Sequence, residues 1–332
     1  MTVDEPKRGL LRRVAGGIAG FFKRFAGPIR IVLLVAIVAF AIYAIASSWE
    51  RVEAALVDMG PGLIVGSSLV LVASIAGHYV SWLAVLAALG APRMPVLASM
   101  AISTTSQVAK YMPGSVWTAV VQADLGRRHG IQRRIMLASY GLVLLVSVAT
   151  ASVLSLLVLA GPSPLWIRLV SIAAAVCGVV LLASLFHPRL LHSLLDKVFR
   201  RFSGEGMPDR IDPRALVVAI VAVAVAWSLA GVQAWMLAEP LGATTAEIPF
   251  TAGAIMLSWA VGLVIVILPA GAGAREAILV VTLGQIVGTT EALTIALITR
   301  FLQIIVELVL AALLGLPYAT GALRARRRER LD

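Results

Sequence analysis

Charge is scarce in this 332-residue sequence: 14% of its residues are Asp, Glu, Lys or Arg, against roughly 25% in an ordinary soluble domain. With 60% hydrophobic residues and a mean hydropathy of +0.96, too much apolar surface remains for a water-soluble globule to hide. Cytosolic, secreted and disordered classes are excluded together, and the bilayer must be the solvent. Cysteine is nearly absent: Cys177 stands alone in an apolar run, which rules out a disulfide framework or a thiolate metal site and reads as a small buried hydrophobe. The four histidines, His78, His129, His187 and His192, have no metal-ligand spacing, so neither a metal nor a cofactor is expected. No Walker-type lysine motif occurs, which argues against ATP-driven work by this chain alone.

What is abundant is long apolar runs. A ~30 Å hydrocarbon core needs about 20 apolar residues per helical crossing. Runs bounded by charges, Pro or Gly predict spans near 29–48, 62–89, 134–160, 165–186, 214–238 and 291–317. Two more apolar stretches, 96–125 and 248–288, are each interrupted in the middle. The expected fold is all-α: a polytopic membrane helix bundle of about six full spans plus two broken or re-entrant helical hairpins.

Most of the 28 lysines and arginines lie ahead of the first span, at Arg93, at 127–134, at 189–214 and in the tail from Arg324 to Arg330. The opposite loops hold Glu50, Glu53, Asp58, Glu239 and Glu247 but only Arg51. The positive-inside rule therefore predicts both termini in the cytoplasm of a protein of the inner, cytoplasmic membrane. The net charge of +11 is thus topological, and no aromatic or recognition-helix pattern supports nucleic-acid binding. Residues 1–28 carry Leu10, Leu11, Val14, Ile18, Phe21, Phe22 and Phe25 at near-helical spacing among cations, an amphipathic surface segment. The expected organisation is that segment, a transmembrane domain over 29–320 and a basic tail over 321–332.

The first interrupted stretch opens near Pro95, meets Lys110-Tyr111-Met112-Pro113-Gly114 and resumes at Trp117; both flanks, Arg93 and Arg127-Arg128, are basic. A complete crossing would put one basic flank outside, so a hairpin is expected that enters from the cytoplasm and turns at Pro113-Gly114. The second opens at Pro249, stops at Pro269-Ala270-Gly271-Ala272-Gly273 and resumes at Ala274-Arg275-Glu276. Whether it is re-entrant from outside, as an inverted repeat of the first, or two full spans is left open by parity. Paired broken segments point to a transporter whose substrate meets the broken ends, and freed helix N-termini there suit an anionic group.

Lys110, Arg275, Glu276, Arg300 and Glu307 place charge where it is expensive, about 2.5–3.5 kcal/mol each at a helix centre. They are expected to converge on one polar cavity, with Glu307 neutralising Lys110 or Arg275, and three cations against two carboxylates favour an anionic ligand. Gln107, Gln122, Gln285 and Gln303 read as helix–helix glue, and His78 as a hydrogen-bonded packing residue.

The run Lys110-Tyr111-Met112-Pro113-Gly114-Ser115-Val116-Trp117, the run Pro269 to Glu276 and the Arg300-Phe301 pair together resemble a flippase-like family. That family includes the transmembrane region of lysylphosphatidylglycerol synthases and related polysaccharide-biosynthesis membrane proteins, and the likeness covers roughly 29–320. Ala270 departs from a common Gly, and no soluble aminoacyl-transferase domain follows before Asp332, so synthase activity is not expected. The resemblance implies translocation of a lipid with an anionic or phosphate-bearing head group, such as a phospholipid or polyprenyl-phosphate-linked sugar, for envelope biosynthesis. Lys110, Tyr111, Arg275, Glu276, Arg300 and Glu307 would contact substrate, and Pro113, Gly114, Pro269, Gly271 and Gly273 would form the gate. Two alternatives stand beside it: a non-catalytic partner of an envelope synthase, and a glycosyltransferase with a polyprenyl-sugar donor that uses Glu50 and Glu53. The protein partners to consider are a second copy and an envelope-biosynthesis glycosyltransferase.

Overall fold

The computed structural model describes residues 49–111, 117–187, 211–264, 273–315 and 317–318. The surface segment 1–28, the span 29–48, the tail 321–332 and the break residues Pro113, Gly114, Pro269 and Gly271 lie outside the described residues. Among the described residues there are nine α-helices and no strand. They are α1 (Trp49–Ala88), α2 (Val96–Val108), α3 (Trp117–Arg127), α4 (Arg133–Leu154), α5 (Leu165–Leu185), α6 (Pro213–Ala238), α7 (Ile248–Val264), α8 (Ala274–Val287) and α9 (Thr289–Leu310). The protein is an all-α membrane bundle.

Six stretches are long and apolar enough to cross a bilayer: Met59–Ala88, Arg133–Ala160, Leu165–Leu185, Pro213–Leu241, Thr245–Leu263 and Thr289–Gly315. Five coincide with expected spans, and the sixth is the first arm of the second interrupted stretch. The span within α1 starts at a break, because Gly60 has φ 69° and Pro61 follows it. Gly tolerates that dihedral, and Pro in a first helical turn loses no hydrogen bond.

Among the described residues the interior combines large apolar side chains such as Phe250, Met136 and Leu142 with many small and hydroxylated ones. α1 and α6 pack antiparallel: the Ser74 hydroxyl donates to the Ala226 carbonyl at 2.8 Å, and a Cβ on Gly77 would stand 2.9 Å from the Ala226 Cβ. Such close backbone approach is how helices associate where lipid offers no hydrophobic drive. Other large apolar residues face outward, as in the Val217, Val221 and Val225 stripe of α6 and the Leu165, Leu169, Val176 and Val180 face of α5. Cys177 is on that outer face of α5 and is exposed, which corrects its expected burial. In a membrane an apolar run does not imply an interior position, since lipid accepts it equally.

The chain sorts its charge between two ends. At one end the Asp212 amide donates to the Ala88 carbonyl at 3.1 Å, and His129 is hydrogen-bonded to Tyr318. By chain position Arg93, Arg127, Arg128, Arg133, Arg134 and Arg214 share this basic end. At the other, Gly161 lies against the Phe250 ring, close in sequence to Glu239 and Glu247. Arg168, which sequence reading passed over, also belongs there; its Nε donates to the Ser163 carbonyl at 3.1 Å, at the start of α5.

The described arms of the two interrupted stretches start at opposite ends. α2, with 13 residues, extends ~20 Å and cannot cross the core. It leaves the basic end, where Tyr79 meets Ser99 at 2.6 Å, and α3 returns there, with Ala123 in one cluster with Trp82, Leu86 and Ile131. α7 starts at the other end beside Gly161, and the stem of Arg275 at the start of α8 lies against Gly262 near the end of α7, so these arms are antiparallel. Gly284 of α8 then reaches Thr289, the first residue of α9, whose far end leads to Tyr318 at the basic end. Single cysteines at His129 and Glu247 in a Cys177→Ala background test this sorting. An impermeant thiol reagent added outside cells is expected to label only position 247, and labelling at 129 would remove the first hairpin.

Candidate functional site

The described flanks of both interrupted stretches, at Lys110 and Tyr111 and at Glu276, meet α9. Arg300 and Glu307 are two turns apart on one face of that helix, about 10 Å along its axis, too far to bridge each other. Each takes a partner from a different hairpin. Lys110, on the 3₁₀ turn that ends the first arm, places Nζ 2.6 Å from Glu307 Oε1. The Tyr111 hydroxyl donates to Glu307 Oε2 at 2.8 Å, and Gln303 Nε2 donates to Oε1 at 3.1 Å. Glu307 is 7% exposed, and its two oxygens are taken by three donors.

The second hairpin is tied through Glu276, whose Oε1 pairs with Arg300. Its other oxygen accepts the Gly273 amide at 2.7 Å, closing the N-terminus of α8. Gly273 sits at φ 86°, a dihedral that favours glycine, so the gate residue expected there serves as the helix N-cap. One carboxylate thus holds a helix start and an ion pair together.

Arg275 is the cation left over. Among the described residues it makes no ion pair, and its buried Nε has no hydrogen-bond partner. It lies within electrostatic reach of Arg300, Glu276, Tyr111 and Glu307. Its guanidinium stands 5.4 Å from the centre of the Trp259 ring. All five ionisable side chains expected to converge do so, as two neighbouring ion pairs with Arg275 beside them, and Tyr111 joins the first pair.

Sequence reading missed what lies behind Arg275. Trp259 packs edge-on against Trp227 at 4.7 Å, and Trp227 against His78 at 5.2 Å, forming a ring ladder through α7, α6 and α1. His78 Nδ1 is 3.1 Å from the Ser74 carbonyl, in keeping with its expected packing role. The signal available was a Trp in the arm before the Pro269 break, with Gly262 three residues on. Of the glutamines, Gln303 serves Glu307, whereas Gln285 bonds its own helix at Val281.

A family model of the lysylphosphatidylglycerol synthase transmembrane region matches residues 29–311, which contain all of these side chains. The chain belongs to that family. No curated protein matches it. Membership in the lysylphosphatidylglycerol synthase transmembrane family, with six helices long and apolar enough to cross a bilayer among the described residues, makes this an integral membrane protein of lipid or envelope biosynthesis. Among the described residues no group of three His, Cys, Asp or Glu is placed to hold a metal.

Proposed function

We propose that the chain is a translocator of a lipid with a phosphate-bearing head group, working in the cytoplasmic membrane with its basic end inside. It is read as a transporter rather than an enzyme. The observation that carries this is the unmatched Arg275: both carboxylates near it are already consumed, Glu307 by Lys110 and Tyr111, Glu276 by Arg300 and Gly273. An uncompensated cation in the first turn of a helix that begins inside the membrane is a site for an anion, since the guanidinium fork and the helix N-terminus favour the same charge.

Hairpins that start at opposite ends support an inverted relation between the two halves, and their tips would bound the head group from either side. Passage then requires partner exchange. A phosphate approaching Arg275 and Arg300 competes with Glu276 for Arg300, loosening the second tip while the first stays tied through Glu307. Movement of the first tip would open the opposite face.

The test uses proteoliposomes with a fluorescent phospholipid in both leaflets and a quencher added outside. The wild-type chain is expected to expose the inner pool faster than empty vesicles. Arg275→Ala should abolish the gain, and Arg275→Lys should reduce it about tenfold or more, because a point charge lacks the planar bidentate fork. Wild-type exposure no faster than that of empty vesicles would favour a non-catalytic partner of an envelope synthase.

A further inference from the structure

Arg275 raises a physical question: what holds a cation inside the membrane without neutralising it? A carboxylate would take its donors and its charge together. An aromatic face does neither, since it attracts the cation through the ring quadrupole and leaves the guanidinium N–H groups in the plane free. We infer that Trp259 and Gly262 are positioning residues that present the Arg275 guanidinium to a phosphate group; this rests on the phosphate reading above.

Three observations carry it. The guanidinium carbon lies 5.4 Å from the centre of the Trp259 ring. Gly262, one turn further along α7, leaves room for the arginine stem: a Cβ there would come within 2.5 Å of Arg275 Cγ and 2.9 Å of Nε. Any side chain at position 262 therefore pushes the stem away from α7 and off the ring. The ring itself is fixed from behind, with Trp259 edge-on to Trp227 at 62°. The Trp227 indole N–H donates to the Ser147 carbonyl at 3.3 Å. Trp227 meets His78 in turn, so the platform is anchored on α1, α4 and α6 and does not depend on the hairpin tips.

The consequence is a division of labour. Glu276 and Glu307 tie the tips to α9, whereas Trp259 and Gly262 keep one cation out of those ties. Arginine is required at 275 because only a planar cation stacks on the ring and still offers two parallel donors to phosphate oxygens.

The experiment measures binding of short-chain phosphatidic acid to the purified full-length chain in detergent micelles, with phosphatidylcholine as the reference. Trp259→Leu and Gly262→Ala are each expected to weaken phosphatidic acid binding about five- to thirtyfold, while Trp259→Phe stays within about threefold of wild type. In an Arg275→Ala background, Trp259→Leu should have no further effect on the residual binding. Gly262→Ala adds a single methyl and gives the same reading should Trp259→Leu not fold. Unchanged binding by Arg275→Ala would overturn the phosphate reading itself. Loss of binding by Arg275→Ala with wild-type binding by Trp259→Leu and Gly262→Ala would overturn only the positioning role. An equal effect of Trp259→Leu with and without Arg275 would mark general destabilisation and overturn it too.

Discussion

Glu307→Ala is expected to destabilise the bundle by about 3 kcal/mol, the low end for removing one partner of a buried ion pair. Glu307 is 7% exposed and Lys110 28%, so screening by water is limited on the carboxylate side. The alanine variant strands three donors at once: the Lys110 ammonium at 2.6 Å, the Tyr111 hydroxyl at 2.8 Å and the Gln303 amide at 3.1 Å. Each loses its acceptor where lipid supplies no replacement. Glu307→Gln should fall between, since an amide oxygen still accepts from Tyr111 but offers Lys110 no countercharge. Lys110→Met combined with Glu307→Leu should recover most of the loss, because exchanging a whole buried pair for apolar residues of similar size is often neutral. Thermal unfolding of the purified variants in mild detergent reads all three. Wild-type melting of Glu307→Ala would mean that the first hairpin is not held to α9 by this carboxylate.

The five expected spans among the described residues were legible because a bilayer imposes a length and a composition that can be counted. The convergence of Lys110, Arg275, Glu276, Arg300 and Glu307 followed from the expense of isolated charge in lipid. Pairing was not legible. Periodicity places Arg300 and Glu307 on one face of α9, yet each bonds to a different hairpin, and spacing carries no information about which arm arrives. The entry side of the second hairpin was also hidden, since re-entry and two crossings give the same parity. The start of α7, with Gly161 on Phe250, and the far end of α9, with His129 on Tyr318, lie at opposite ends. Trp259 escaped notice for a similar reason: an aromatic residue in a span is ordinarily packing, and its contact with Arg275 comes from two arms folding back on each other. Cys177 shows the limit of reading burial from hydropathy, because the outer face of α5 is as apolar as the core.

Glu276→Ala is expected to be the most damaging change in the second hairpin, because one carboxylate performs two tasks. Through Oε2 it accepts the Gly273 amide at 2.7 Å and caps α8, and through Oε1 it neutralises Arg300. Loss of the cap costs about 1 kcal/mol. The pair is less buried than Lys110–Glu307, with Glu276 at 19% and Arg300 at 31% exposure, so its loss adds about 1–3 kcal/mol. Glu276→Gln separates the tasks: its amide oxygen can still cap Gly273, while Arg300 joins Arg275 as a second unmatched cation. Glu276→Gln is therefore expected to melt near the wild type, to hold phosphatidic acid more tightly and to translocate phospholipid several-fold more slowly, since no carboxylate competes to release the head group. Glu276→Ala should melt lower and translocate least. Faster translocation by Glu276→Gln than by the wild type would show that the ion pair to Arg300 only restrains the hairpin and takes no part in releasing the anion.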